Sequence, residues 1–296
     1  MNSPKYTTLI ADADNTLYSW VDYIVPCLEA MVNTLENLSG RPRDAIIDSI
    51  KKVFEARQTN EYAFVLQEAE IFSDLREDFD WFQKTYIHPT RYVFNRVRLE
   101  NLRLYPGVRK TFRHLIDRGV SIYVLSDAPA FAAEQRLKHL GLAQFIRAMY
   151  ALETYAIPPS TRLDPALVNR LRSGYYRSRI GKVVEMPLVF EKPNPEGLKF
   201  LLRQEGIDPA RTVLVGDNPK KDIKVARECG LTDVWARYGT VIAPELREKL
   251  KKYSAPSVHR RNVSSGEDGS VAPTLTIDRF DEILPLFEEK APNSPG

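Results

Sequence analysis

The 296-residue chain predicts a doubly wound, Rossmann-like α/β fold: a parallel sheet covered by helices on both faces, with an α-helical subdomain inserted into it. Two observations predict the core. Short, nearly continuous apolar runs alternate with helical stretches, the pattern of strands buried on both faces. Four of the helical stretches end on Gly followed by an apolar residue, a common helix stop. The insertion is predicted by length, because the 86 residues 18–103 separate the first two apolar runs and exceed any single crossover helix.

The elements follow in order. A strand at 7–11 opens the chain. Within the insertion, 21–38, 44–57, 62–72 and 90–102 carry apolar residues at three- and four-residue spacing and read as helices, with breaks at Gly40-Arg41-Pro42 and His88-Pro89. Phe54, Phe64, Phe72, Trp81 and Phe82 read as the core of that bundle. Further strands are expected at 120–125, 147–151, 212–216 and 233–236. The helix stops are Gly119-Val120, Gly141-Leu142, Gly206-Ile207 and Gly230-Leu231. A last strand at 275–277 precedes a helix at 280–289 that packs back on the core. The domains are therefore a core of 1–17 and 104–290 and an inserted helical subdomain of 18–103.

Two segments do not follow this grammar. Residues 155–187 are rich in Arg and Tyr and carry a net charge of +4, which suits either a surface or oligomer-contact arm or a device that draws anions toward the sheet edge. Residues 251–274 hold five Ser, two Gly and two Pro and read as a mobile loop.

Composition narrows the function classes. With 42 Lys+Arg against 39 Asp+Glu, the net charge of +3 is spread along the chain, which argues against nucleic acid as a partner. Cys27 and Cys229 lie far apart with no Cys-x-x-Cys partner, so a reducing, cytoplasmic setting is expected. No window approaches the 18 consecutive apolar residues of a membrane helix, and residues 1–5 lack a secretory pattern. The phosphate-binding, dinucleotide-binding, nucleophile-elbow and His-Glu-x-x-His motifs are absent from the sequence.

The chemistry lies at strand ends. The first strand runs into Asp12-Ala13-Asp14-Asn15-Thr16, where two close carboxylates repel unless a cation holds them; this spacing suggests a hard, oxygen-liganded metal such as Mg²⁺. A turn after the strand would also use Asp and Asn. The strand 212–216 ends in a second acidic pair, Asp217 and Asp222. In an open parallel sheet, ligands bind outside the C-terminal strand ends, near the point where strand order reverses. The 120–125 strand ends in Ser126, whose hydroxyl suits a phosphate oxygen or a helix N-cap. Lys192, in Glu191-Lys192-Pro193-Asn194-Pro195, stands just before a helix that brings it to the same edge.

As an ordered set, Asp12-x-Asp14-x-Thr16, Ser126, Lys192 and Gly216-Asp217-x-x-x-x-Asp222 resemble the four motifs of the haloacid dehalogenase superfamily. Leu104-Tyr105-Pro106-Gly107-Val108 is also similar, and the helical insertion looks like that superfamily's first-type cap. The resemblance implies an Mg²⁺-dependent phosphomonoester hydrolase acting on a small phosphorylated substrate. Asp12 would be the nucleophile and Asp14 the general acid and base. Mg²⁺ would be held by Asp12, the Asp14 carbonyl, Asp217 and Asp222, and Ser126, Asp127 and Lys192 would lie at the phosphate. Asn15 and Asp127 depart from the residues usual in the family, Gly and Asn. Asp14-Asn15-Thr16-Leu17-Tyr18 resembles the run in some nucleotidase-like members.

Other readings start from the same residues. A phosphomutase shares all four motifs and differs in what the cap admits. A dehalogenase needs neither a metal nor a second acid at Asp14. A phosphonate hydrolase needs a cap lysine, for which Lys51 and Lys52 qualify by position alone. A non-enzymatic protein using 155–187 to bind a partner would leave the full acidic set uncompensated. The sequence leaves the oligomeric state open between monomer and homodimer.

Overall fold

The computed structural model describes residues 5–154, 178–258 and 272–288. Its centre is a seven-stranded sheet in which every pairing is parallel: β1 (Thr8–Ala11), β2 (Ser121–Pro129), β3 (Ala148–Leu152), β4 (Val183–Met186), β5 (Thr212–Gly216), β6 (Thr232–Ala236) and β7 (Leu275–Ile277). The spatial order is β4-β3-β2-β1-β5-β6-β7. The chain thus moves outward from β1 to β4, then returns to β5 on the other side of β1. That reversal opens a crevice beyond the C-terminal ends of β1, β2 and β5.

Alternation along the strands explains the two buried faces. Leu9, Ala11, Val213 and Val215 join one apolar cluster, while Ile10, Tyr123, Leu125 and Leu214 join the other. The first cluster continues without a gap into the inserted helices through Ile24, Leu28, Ile46 and Phe54. These helices are α1 (Trp20–Ser39), α2 (Arg43–Arg57) and α3 (His88–Asn101), followed in the core by α4 (Val108–Asp117), α5 (Ala130–His139), α6 (Glu196–Glu205), α7 (Lys224–Glu228) and α8 (Pro244–Tyr253). At the four expected Gly stops the glycine is left-handed and the next residue's N–H bonds back five positions, as in Leu142 N to Leu137 O at 3.0 Å.

The differences from expectation have local causes. The helix expected at 62–72 is a single turn, Val65–Glu68, and a 3₁₀ segment, Glu70–Arg76, separated at Ala69, whose backbone is extended. The Arg76 guanidinium takes the Gln67 and Ala69 carbonyls that a continuing helix would have used. His88-Pro89 does not break the chain's helical path: Pro89 lies in the first turn of α3, where its missing N–H is tolerated, after a π-turn at Gln83–Ile87. Strand β4 was not expected; its four residues, of which Met186 is buried, form a sheet edge. Phe280–Phe287 is 3₁₀ rather than α, with Pro285 inside it, and still buries Phe280, Ile283 and Phe287. Of the five aromatics assigned to the bundle core, Phe54, Phe72 and Phe82 are buried and Phe64 partly so, but Trp81 is 45% exposed.

Most of the Arg-rich segment (155–177) and much of the expected mobile loop (259–271) lie outside the described residues. Among the described residues, Cys27 and Cys229 are free thiols, and no helix is long and apolar enough to cross a membrane.

Candidate active site

The crevice at the strand ends is lined from both bodies. Asp12, Asp14, Ser126, Asp127, Lys192, Asp217 and Asp222 come from the core, and Trp20, Gln58, Thr59 and Glu61 come from the inserted helices. Asp12 leaves β1 with its N–H still bonded to the Val215 carbonyl at 2.9 Å, so the sheet itself sets its place. The chain then turns tightly, with Leu17 N bonded to Ala13 O at 2.9 Å and Asn15 N to Tyr18 O at 2.8 Å. Asn15 takes the left-handed conformation this turn needs, at φ 57°. Its side-chain oxygen also accepts from Trp20 N at 3.0 Å, tying the turn to the start of α1.

Asp217 and Asp222 arrive on β5 and the turn after it. The Asn218 N–H donates to Asp222 Oδ2 at 3.0 Å, fixing that carboxylate. Gly216 is required by close approach, since a β-carbon there would overlap the Asp222 carboxyl. A β-carbon at Gly239, in the turn after β6, would overlap the Asn15 carbonyl and crowd Asp217.

Ligand oxygens of Asp12, Asp217 and Asp222 lie within 4.8 Å of one another, and all three residues are buried. Lys192 Nζ stands between two of them, 2.7 Å from Asp12 Oδ1 and 2.6 Å from Asp222 Oδ1. The ammonium is itself only 5% exposed. Burial pushes the Asp12 carboxyl up to about 7, against the pull of Lys192, and the Asp222 charge adds to the rise. Burial raises Asp217 well above the usual carboxylate range, with Asp222 and Asp12 adding to it. Lys192 is held far above its ordinary value because Asp12 and Asp222 outweigh the opposing effect of burial. Three carboxylates against one ammonium leave this buried group two negative charges in excess when ionised. Hard oxygen donors with that excess fit a small divalent cation such as Mg²⁺.

The Asp14 carboxylate stands outside this group and faces the inserted helices. Its Oδ2 accepts from Arg136 Nη2 at 3.3 Å, while Oδ1 is buried with no partner. Burial raises its pKa, Arg136 opposes the rise, and the Glu61 charge adds to it. The adjacent Glu61 carboxyl is partly buried, but Arg136 and hydrogen bonds from Tyr23 and Trp20 overcome that burial and hold it below its ordinary value.

Ser126 is buried on β2, and its Oγ accepts from Ala128 N at 3.1 Å. That contact is a local turn, and the N-cap position of α5 belongs to Pro129. Asp127 follows it and turns away from the acidic group: Oδ1 accepts from Lys192 N at 3.0 Å and Oδ2 from Lys221 Nζ at 3.0 Å. Oδ1 thus holds the loop that carries Lys192, while Oδ2 is engaged by Lys221 from the turn after β5.

Arg136, Glu61, Trp20 and Tyr23 were not among the expected site residues. Arg136 carried one faint signal, a charge on the apolar face of a helix between Ala133 and Leu137. Glu61, in the loop after α2, carried none.

Comparison with known proteins bears on the same residues. The model of the haloacid dehalogenase-like hydrolase family matches residues 6–230. A probable phosphoglycolate phosphatase from Pseudomonas putida is 26% identical over 188 residues, 64% of this chain and 53% of the relative. A phosphoserine phosphatase from Thermus thermophilus is 29% identical over 116 residues, 38% of this chain and 40% of the relative. The chain thus spans about half the length, or less, of the curated relatives it matches. Among solved structures, a HAD phosphatase from Thermococcus onnurineus superposes with a TM-score of 0.55 at 16% identity, covering 95% of this chain and 97% of the other. A 2-haloacid dehalogenase from Pseudomonas syringae superposes with a TM-score of 0.53 at 16% identity, over the same shares of the two chains. These two likenesses concern the fold.

Proposed function

The chain belongs to the haloacid dehalogenase-like hydrolase family, and from that premise we propose that it is an Mg²⁺-dependent phosphomonoester hydrolase acting on a small phosphorylated metabolite through an aspartyl-phosphate on Asp12. The observation that carries this reading is the division of labour between the first two acids. Asp12 sits against Lys192 within the acidic group, at 2.7 Å, whereas Asp14, in the same cleft, is turned toward Arg136 and the inserted helices with one oxygen unpartnered. That difference suits the one to attack and the other to handle a proton.

In the first step the Asp12 carboxylate forms a bond to phosphorus as the ester P–O bond breaks, and Asp14 gives its proton to the departing oxygen. In the second, the Asp14 carboxylate takes a proton from water as that water attacks phosphorus. The bond to Asp12 then breaks, phosphate leaves, and both acids return to their starting forms. Lys192 holds Asp12 in place and neutralises part of the charge that gathers there. Ser126 lies at the edge of the cleft where a phosphate oxygen would be received. Mg²⁺ held by Asp12, Asp217 and Asp222 would offset the repulsion between these carboxylates and a phosphate dianion.

Phosphatase names among the relatives support this class, and Asp14 together with Asp217 weighs against dehalogenation, which needs neither a metal nor a second acid at the Asp14 position. The free thiols accord with a cytoplasmic setting. The test is a screen for inorganic phosphate release from nucleotides, sugar phosphates and phosphoglycolate, with and without Mg²⁺. Release from at least one class, only with the metal, is expected. Chloride release from a 2-chloroacid with no phosphate release from any ester would replace the reading with a dehalogenase. Transfer to a second hydroxyl without free phosphate would replace it with a phosphomutase.

A further inference from the structure

Arg136 heads the fully buried side chains in volume among the described residues, at 1% exposure, and the acid–base chemistry proposed above does not use it directly. It stands on α5, in the core, yet its donors are shared between the turn after β1 and the inserted helices. Nε donates to Tyr18 OH at 2.9 Å and Nη2 to Asp14 Oδ2 at 3.3 Å. Nη1 donates to Glu61 Oε1 at 2.6 Å and to Tyr23 OH at 2.8 Å. Glu61 is completed by Tyr23 OH at 2.9 Å and Trp20 Nε1 at 3.1 Å, so its place depends on α1 being seated. A guanidinium is a rigid planar fork, and its donors cannot be aimed one at a time. What fixes Nη1 on Glu61 therefore also fixes Nη2 on Asp14.

The donor chemistry then decides which Asp14 oxygen can carry a proton. Arginine has donors and no acceptor. The oxygen it touches, Oδ2, must accept, which leaves the transferable proton to Oδ1, the oxygen without a partner. Burying a charged side chain for packing alone is costly, and an apolar residue of similar volume would fill this space at least as well. We propose that Arg136 is a positioning residue: seated by Glu61 of the inserted helices, it holds Asp14 by Oδ2 so that Oδ1 is the proton-carrying oxygen presented to the leaving group. The inference rests on the reading of Asp14 as general acid.

Leaving-group dependence tests it. An aliphatic phosphomonoester needs a proton on its departing oxygen, whereas 2,4-dinitrophenyl phosphate expels a stable anion and does not. In the Mg²⁺-supplied protein, Asp14→Asn is the reference, expected to lower kcat/KM on the aliphatic ester by about 10²- to 10⁴-fold and on the dinitrophenyl ester by less than about tenfold. Glu61→Gln and Arg136→Lys are expected to show the same selectivity at smaller size, roughly 10-fold or more on the aliphatic ester and under about threefold on the activated one. The kcat/KM for the dinitrophenyl ester, which ends at leaving-group departure and does not include the later attack by water, doubles as the check on folding, and if Arg136→Lys does not fold, Glu61→Gln carries the test. Equal losses on both esters for Glu61→Gln would reduce the cluster to packing and overturn the proposal, as would no loss on either. If Asp14→Asn itself shows no dependence on leaving group, the general-acid reading fails first and takes this inference with it.

Discussion

Lys192 Nζ lies 2.7 Å from Asp12 Oδ1 although the two residues are 180 positions apart in the chain. The ammonium is the cation that faces Asp12, Asp217 and Asp222 in the described structure, and it is as deeply buried as they are. Removing one member of a buried, hydrogen-bonded charge group typically costs about 3–5 kcal/mol. Lys192→Met is therefore expected to lower the Tm of the metal-free protein at neutral pH strongly, and Mg²⁺ should recover part of the loss by supplying the missing charge. Thermal unfolding in EDTA and in Mg²⁺ measures both. A Tm equal to that of the unsubstituted protein in EDTA would mean that Lys192 does not compensate these carboxylates.

Asp12→Asn keeps the size of the side chain and removes the nucleophile. Turnover should fall below about a hundredth of the original kcat while the circular dichroism spectrum stays unchanged. Acid-quenched protein analysed by mass spectrometry during turnover should carry a phosphoryl group at Asp12 and none in the variant. A variant that retains more activity than this, with deamidation excluded, would count against covalent catalysis at Asp12.

The raised pKa of Asp12 links metal, pH and stability. Its carboxyl titrates at about 7 in the folded protein against an ordinary 3.8, so the folded state holds the proton more tightly than the unfolded one. Stability of the metal-free protein attributable to this group is therefore full below about pH 4 and declines as pH rises to about 7. A cation competes with that proton, so the Mg²⁺-induced rise in Tm should grow across the same interval. At a hundredfold excess over Kd, binding contributes about 2.7 kcal/mol, roughly 5 °C for a chain of this size. EDTA should stop phosphate release and Mg²⁺ restore it. A Tm shift of the same size at about pH 5.5 and about pH 8 would argue that Asp12 is not a ligand.

Gly239→Ala places a methyl group against the Asn15 carbonyl and the Asp217 side chain, which backbone movement alone can accommodate. Overpacking of this kind costs about 1–3 kcal/mol. Because the displaced groups belong to the turn behind Asp14 and to the acidic cluster, kcat should fall more than the stability loss alone would imply. Unaltered Tm and kcat would show that the turn after β6 moves freely.

Much of the fold was legible because burial on both faces of a parallel sheet forces apolar runs whatever their neighbours. Thr212–Gly216 and Leu275–Ile277 coincide with the expected strands, and the others differ by a residue or a few at their ends. Short edge elements were harder to read: β4 offers four residues and little burial, so hydrophobic pattern had little to act on. The break at Ala69 was invisible because it depends on Arg76 reaching back across the chain to two carbonyls.

By itself, the sequence determined that carboxylates would stand at the C-terminal ends of buried strands and that Lys192 would stand just before a proline-led helix, since these follow from local pattern and order along the chain. Tertiary structure alone decided which charges meet. It buried Lys192, which as an isolated lysine would ordinarily be solvated, between Asp12 and Asp222. It turned Asp127 toward Lys221 rather than into the acidic cluster. It also joined Arg136, 122 positions from Asp14, to that acid and to Glu61. A buried charge is stable only where partners from distant segments converge on it, and that convergence is a property of packing that no local stretch of sequence encodes.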